Sequence, residues 1–471
     1  MKFKKIHFVG VKGVGVAPLA IIAKEAGIEV TGSDVSDHFI TDKQLIASGI
    51  NPIEGFNKSN VNDPDLVITT GAHGGLENVE VIEAKEKNIP VMLQGEALGK
   101  FQDGEIFNKK FLGVSVAGSH GKTTTTAIIA TILAMNNLDP SYVIGTGEIP
   151  TLKNSGHFGK GNYFISEADE YFADVKFDRI PKFLYQNPKV IIITNIDFDH
   201  PDVFENHEVM EKAFYDFTKK LTSDGALIIC GDGENNRKFI SNLNQPSIRY
   251  GFSPDNDYVI EKINYDCEKM FFWVKSKDTM LGEFSVNVFG EHNALNCLGA
   301  IIVCLELGLS IDQIRRGLSE FKGTKRRAEF IGKIPTGAIL YDDYAHHPSE
   351  VKETLHAFRK SFPKQNIVTV FQPHMYSRTK TLFENFVNSF NDSDEIIITE
   401  IFPSFREPID PNFSSKQIVD ELIKKQKNAI YFPSNLNVIE YISSQNYSSN
   451  TVIITMGAGD IYKIGEKLIN G

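Results

Sequence analysis

Short apolar runs recur along the chain, and most are followed by stretches with apolar residues every three or four positions. KKIHFVG reads as a strand, GVKGVGVAPLAIIAKEAG as a glycine turn and helix, and IEVTGSD as a second strand. DLVITTGA and IPVML continue that alternation to about residue 106. FLGVSVAG opens a second segment and runs into the helix TTTTAIIATILAMNN; NYFISEAD, KVIIITNID and GALIICGD are later strands. From about 247 to 289 the pattern changes to alternation with short turns, which predicts a small antiparallel sheet appended to a parallel core. HNALNCLGAIIVCLELG and LSIDQIRRGLSEF are helices that close this segment. A third segment alternates again through GAILYDDYAHHP, VKETLHAFRKSF, NIVTVFQPH, DEIIITEIF, SSKQIVDELIKK and TVIITMGAGDI. Strand and helix in alternation imply parallel sheets, so the expected fold class is α/β in three domains, 1–106, 107–322 and 323–471.

Composition narrows this picture only a little. A chain of 471 residues with 41% hydrophobic and 23% charged content suits a globular protein of several domains. No apolar stretch approaches the about 18 residues of a membrane span. The early lysines of MKFKKIHFVGVKGVG lead into a glycine-broken stretch, a first strand rather than a leader, and the expected location is the cytoplasm. The net charge of −11 argues against general nucleic-acid binding. Any anionic ligand must therefore be held by local groups. Cys230, Cys267, Cys297 and Cys304 form no CxxC, so neither a disulfide framework nor a zinc site is expected. Cys297 and Cys304, in an apolar helical stretch, read as core.

Chemistry enters at VAGSHGKTTTT, residues 116–126. Backbone N–H groups at a helix N-terminus face an anion, and glycines let the backbone approach it. Gly118, Ser119, His120, Gly121, Lys122, Thr123 and Thr124 form such a loop, shorter than the usual G-x-x-x-x-G-K-[ST] spacing. Lys122 would reach the β- and γ-phosphates of ATP, and the Thr123 hydroxyl would bind Mg²⁺. Gly-Lys-Thr also occurs in ordinary turns, but here a buried strand precedes it and a helix follows.

Other polar clusters stand at strand ends. Glu167 in SEADE lies where a Mg²⁺ ligand is needed, although a solvated acidic turn would read the same way. Asn195 and His200 in TNIDFDH follow the run VIII, and an Asp with a His there can hold a second cation. His292, Asn293 and Asn296 begin a helix. Their amides suit a purine edge, with helix capping as the alternative. Arg326 and Arg327 precede a strand and could be surface charge. GVKGVG, residues 10–15, fails the dinucleotide fingerprint because Pro18 stands where its third glycine belongs. A glycine turn suited to pyrophosphate remains, with Asp34 placed for a ribose.

These motifs, in this order across the whole chain, resemble the Mur ligase family of ATP-dependent amide-forming enzymes. The resemblance rests on GSHGKTTT, EADE, TNI-x-x-DH, G-x-HN-x-x-N, RR, DDYAHHP, FQPHMYSR and HFVGVKGVG. It implies a Rossmann-like domain for a UDP-sugar, a central phosphate-loop domain for ATP and a Rossmann-like domain for an amino acid. It implies that Glu167 and His200 bind metal, with two Mg²⁺ ions in all, and that Asn293 and Asn296 meet adenine. It further implies that Arg326 or Arg327 contacts the γ-phosphate and that Asp343 meets the nucleotide. Tyr344, His346, His374 and Arg378 would place the amino acid. Gly10, Gly13, Val14, Gly15, Ser33, Asp34 and Thr70 would hold the UDP-sugar. Three departures stand out: Met375 and Gln94 replace expected arginines, and EADEYFADVKFDR leans towards a tripeptide-joining branch of the family.

The resemblance makes UDP-N-acetylmuramate and L-alanine the expected substrates of a monomer or weak homodimer. Alternatives are a murein tripeptide as the incoming amine, an inactive nucleotide-binding regulator, or a nicotinamide oxidoreductase. A carboxylate must be activated before an amine can attack it, and transfer of the γ-phosphate to give an acyl phosphate accomplishes this. Positioning and charge neutralisation would carry the catalysis, with domain closure expected to exclude water.

Overall fold

The computed structural model describes every residue except 1, 199–202, 266–268, 278, 405–406 and 471. Strands β1 (Lys5–Val9), β2 (Glu29–Asp34), β3 (Ile53–Glu54), β4 (Leu66–Thr69) and β5 (Val91–Leu93) form a parallel sheet in the order β3-β2-β1-β4-β5. The order reverses between β1 and β4. In open α/β sheets ligands bind outside the strand ends at such a switch point. Gly10 follows β1 there and Thr70 follows β4. Gly10 has φ +75°, and a Cβ on it would stand 2.5 Å from Thr70 Cγ2, so backbone conformation and close approach both demand glycine.

The second sheet has ten strands. β6 (Leu112–Ala117), β7 (Ser141–Val143), β8 (Gly156–His157) and β9 (Tyr163–Ala168) lie on one side. After a separate hairpin, β10 (Phe172–Asp174) with β11 (Asp178–Pro181), come β12 (Val190–Ile193), β13 (Ala226–Cys230) and β14 (Ile248–Gly251). β15 (Tyr258–Tyr265), β16 (Met270–Ser276) and β17 (Thr279–Val286) complete the order β17-β16-β15-β14-β13-β12-β6-β9-β7-β8. Two corrections to the sequence reading follow. Ile248–Gly251, expected within the antiparallel segment, pairs parallel with β13 and with β15. The later strands, joined by connections too short for a crossover, extend the same sheet rather than forming one of their own.

β6 sits between β9 and β12, parallel to both, with Ala117 level with Ala168 on one side and Ile193 on the other. Three chain segments therefore leave the sheet together. The all-apolar, fully buried run of β12 explains its central place: it is covered on both faces.

In the third sheet β18 (Glu329–Lys333) runs antiparallel to β19 (Ile339–Asp343). β20 (Asn366–Phe371), β21 (Glu395–Thr399), β22 (Ala429–Phe432) and β23 (Thr451–Met456) complete the order β18-β19-β23-β20-β21-β22. Met456 is level with both Asp343 and Phe371, so again three strand ends emerge together.

The chain forms two compact units. One runs from the N-terminus to Ile263 with Phe271–Asn287 and Asn293–Thr324; the other holds Lys325 to the C-terminus with Asn264–Met270 and Val288–His292. The first two sheets thus share a unit, and their packing shows why. Val143 and Phe164 of the ten-stranded sheet belong to the same buried cluster as Ile6, Phe8 and Leu19. A Cβ on Gly156 would lie 2.3 Å from the Pro18 carbonyl oxygen, so any side chain there would force the layers apart.

Candidate active site

The first unit builds a loop at the end of β6. Gly118 has φ +133° and a Cβ there would strike Thr194 Oγ1, while one on Gly121 (φ +82°) would strike Asn296 Oδ1. Gly121 immediately precedes the helix Lys122–Met135, whose N-terminal N–H groups and dipole favour an anion. The segment after β12 staples this loop. Asn195 Oδ1 accepts from His120 N at 2.8 Å, and Asn195 Nδ2 donates to the His120 carbonyl at 3.0 Å. Thr194 Oγ1 donates to the same carbonyl, and the Ser119 hydroxyl donates to Asp197 O at 2.6 Å. Asn195 therefore shapes the loop. His200, together with Asp199, lies outside the described residues.

β9 supplies the carboxylates. Glu167 Oε1 accepts the Gly145 N–H at 2.6 Å and the side chain also accepts from Thr123. Burial raises the Glu167 pKa, and the Gly145 N–H and the Lys122 charge offset this only in part. Lys122 pairs instead with Glu170 at 2.8 Å, and Lys182 with Asp169 at 2.7 Å. Burial opposes the Lys122 charge, but Glu170, Asp169 and Glu167 outweigh it and raise its pKa. Glu167 is left with no ion pair among the described residues, beside the Thr123 hydroxyl. That oxygen pair fits Mg²⁺, which takes one or two carboxylates and completes its shell with water and phosphate.

Asn296 lies against the loop through Gly121, and its Nδ2 donates to Asn293 Oδ1 at 3.2 Å. At the first sheet, Gly13 and Gly15 shape the turn that includes Val14: Gly13 N donates to Gly10 O, and Gln94 Nε2 donates to Gly15 O at 3.1 Å. Gln94 thus braces the turn. Asp34 is buried and accepts from the N–H groups of Lys12 (2.7 Å) and Val35 (2.8 Å). The Ser33 hydroxyl donates inward to Glu80, a buried carboxylate that also takes His7 Nε2 (3.0 Å) and Asn57 N (3.0 Å). Ser33 and Asp34 spend these side-chain atoms on the fold.

The second unit carries its own cluster. Arg326 is buried, with Nε donating to Asp342 at 3.1 Å, its terminal nitrogens to the carbonyls of Gly459 and Gly457, and its guanidinium packed against Tyr344 and Tyr462. Its φ of +60° is held by Tyr344 N donating to Arg326 O at 2.6 Å and Arg326 N donating to Glu329 at 2.9 Å. Arg327 is partly exposed, over the face of Tyr344 and 4.0 Å from Glu350. Asp343 accepts the N–H groups of Ala328 (2.6 Å) and Ala345 (2.8 Å), and burial raises its pKa. The two histidines of DDYAHHP divide. His347 caps the helix Pro348–Ser361 in a capping box with Glu350. His346 donates from Nδ1 to the Tyr344 carbonyl at 3.0 Å and faces the His374 ring, centroids 6.0 Å apart. His374 stacks on Phe402 and lies 3.4 Å from an Arg378 nitrogen. Met375, buried with φ +71°, donates its N–H to Phe402 O. His292 belongs to this unit, and burial followed by the Arg327 charge pushes its pKa down to about 4.

Several residues that organise these clusters escape sequence reading. Glu170 was visible in SEADE as one acid among three, but only the fold pairs it with Lys122. Glu80 and Phe402 lie in stretches with no motif at all.

The family description "Mur ligase family, catalytic domain" matches residues 5–105, "Mur ligase middle domain" 116–304 and "Mur ligase, glutamate ligase domain" 326–459. The UDP-N-acetylmuramate–L-alanine ligase of Desulfitobacterium hafniense is 39% identical over 98% of this chain and 99% of its own. The crystal structure of the UDP-N-acetylmuramate–alanine ligase of Thermotoga maritima superposes with TM-score 0.81 at 27% identity, covering 99% of this chain and 98% of its own. A murein peptide ligase from Psychrobacter arcticus gives 0.69 at 25%, covering 99% and 98%. With the phosphate loop and its flanking strands arranged as above, this full-length similarity means that the chain belongs to the Mur ligase family.

Proposed function

We propose that the protein joins L-alanine to the carboxylate of UDP-N-acetylmuramate, with ATP cleaved to ADP and phosphate. The observation that carries this reading is the end of the ten-stranded sheet. A glycine loop and helix N-terminus suited to phosphates stand there beside a buried carboxylate, Glu167, next to the Thr123 hydroxyl. The full-length likeness to alanine ligases selects the substrates and disfavours the tripeptide alternative.

In this reading the N–H groups of residues 118–123 and the Lys122 ammonium bind the triphosphate. The substrate carboxylate takes the γ-phosphate and ADP leaves; the amine of alanine then attacks the acyl carbon and phosphate departs with the oxygen. Mg²⁺ held by Thr123 and Glu167, with a second ion at His200, would neutralise charge on the phosphates. Asn293, Asn296 and the uncharged His292 would serve the adenine. Arg327, the more exposed of the arginine pair, is the one proposed for the γ-phosphate. His346, His374 and Arg378 would orient alanine, and Gly10, Gly13, Val14, Gly15 and Thr70 would hold the UDP-sugar at the switch point of the first sheet.

The test is ADP release by the purified protein. It should require both UDP-N-acetylmuramate and L-alanine, and ¹⁸O placed in the sugar carboxylate should appear in the phosphate. Turnover with L-Ala-γ-D-Glu-diaminopimelate exceeding that with alanine would reverse the choice of amine.

A further inference from the structure

The Lys122 ammonium has four acceptors within the protein. It donates to Glu170 Oε2 at 2.8 Å and Oε1 at 3.1 Å, to Gly118 O at 2.5 Å and to Ser119 O at 3.2 Å. The Glu170 side chain is 1% exposed and that of Lys122 14%, so the pair is shielded from water. Two of the four acceptors are carbonyls of the loop itself. The lysine stem is therefore folded back over the cradle it serves.

The two functions of this ammonium conflict. A phosphate-loop lysine must reach the β- and γ-phosphates. A carboxylate holding it through two charge-assisted hydrogen bonds is a strong competitor for the same charge. We propose that Glu170 is a positioning residue that latches Lys122, so that the carboxylate and the nucleotide's phosphates compete for one ammonium and phosphate capture requires the pair to open. This rests on reading residues 118–123 as a phosphate loop. The fold makes the competition local. Glu170 stands two residues beyond the end of β9, next to the strand that launches the loop, and Ala117 is level with Ala168. The latch raises the threshold for any phosphate that would displace the carboxylate.

The latch predicts a gain on mutation, opposite in sign to loss of a ligand contact. Titration calorimetry of the full-length protein with ADP and, separately, adenosine, both in Mg²⁺, reads it. Glu170→Gln should tighten ADP about five-fold or more, in the range of coupled binding events. Adenosine, which has no phosphate, should bind unchanged, and the KM for ATP should fall without a rise in kcat. Glu170→Asp keeps the charge but withdraws it by one methylene; it should shift ADP in the same direction by less, and it decides the matter if the glutamine variant does not fold. Unchanged or weaker ADP binding in a folded variant overturns the latch, as does an equal shift in ADP and adenosine, which would mark a purely structural role. Wild-type protein that binds no ADP would overturn the phosphate-loop reading itself and the latch with it. Normal ADP binding by wild type without tightening in the variants removes the latch alone.

Discussion

Lys122 and Arg326 are both cations paired with a carboxylate at the end of an α/β sheet, each in its own unit, and they are held in different ways. Lys122 has one strong partner, Glu170, and two carbonyls of its own loop. Arg326 spreads its planar fork over Asp342 and two carbonyls, between two tyrosine rings. A lysine is a point charge on a flexible stem and can change partners; a guanidinium fixed at this many points cannot move without breaking all of them. The lesson is that a motif cation need not be a ligand cation. The first pair is built to open, and the second is built into the scaffold that presents Arg327 and Tyr344.

Substitutions can break this contrast, and the largest effect is expected at the movable cation. Lys122→Ala should abolish ADP release, a loss on the order of 10³-fold or more, from removal of a charge aimed at the transferring phosphate. Its unfolding curve should also shift to lower stability, because Glu170, 1% exposed, is left without its cation. Measurable turnover near the wild-type rate would remove Lys122 from the chemistry.

Arg326→Ala should act through stability rather than on the transferring phosphate. It leaves Asp342 buried without its cation, and breaking such a pair costs about 3–5 kcal/mol. Denaturant unfolding of the second unit should show that loss; stability within about 0.5 kcal/mol of wild type would mean that Arg326 is not structural.

Arg327→Ala sharpens the comparison within one dipeptide. Its partly exposed side chain predicts a stability change within about 0.5 kcal/mol. Ligation should fall roughly 10- to 100-fold if Arg327 rather than its neighbour serves the γ-phosphate. Steady-state rates and unfolding, measured on both arginine variants, separate the two roles.

The smallest effect concerns His292. Its pKa in the folded protein is about 4 against an ordinary 6.5, so the unfolded chain binds the extra proton first as pH falls. The stability due to the neutral ring is present above about pH 6.5 and is lost between there and about pH 4, on the order of 3 kcal/mol. His292→Gln should flatten that part of the stability–pH curve. An unchanged slope would show that the ring is charged in the folded protein as well.

The sequence made the phosphate loop legible because strand, glycine spacing and helix are local: FLGVSVAG, then GKT, then an apolar helix. It also located the carboxylates at the end of β9 and the α/β alternation that sets the fold class. It read Ile248–Gly251 into an antiparallel segment because alternation over four residues cannot reveal the direction of a pairing partner. The divided roles within RR and within DDYAHHP were hidden for a related reason. Arg326 and Arg327 differ only in what surrounds them, and His347 becomes a helix cap only once the helix Pro348–Ser361 begins at the next residue.

What the residues alone determined was the order of elements, the family resemblance and the types of group available to hold phosphate, metal and amine, because each follows from short-range pattern and intrinsic chemistry. Tertiary structure alone decided which of those groups face one another. It paired Lys122 with Glu170, turned Ser33 inward to Glu80, set Gln94 under the glycine turn and locked Arg326 away from Arg327. The reason is physical: charge pairing and hydrogen bonding depend on distance in space and on burial, and neither is encoded in the separation of residues along the chain.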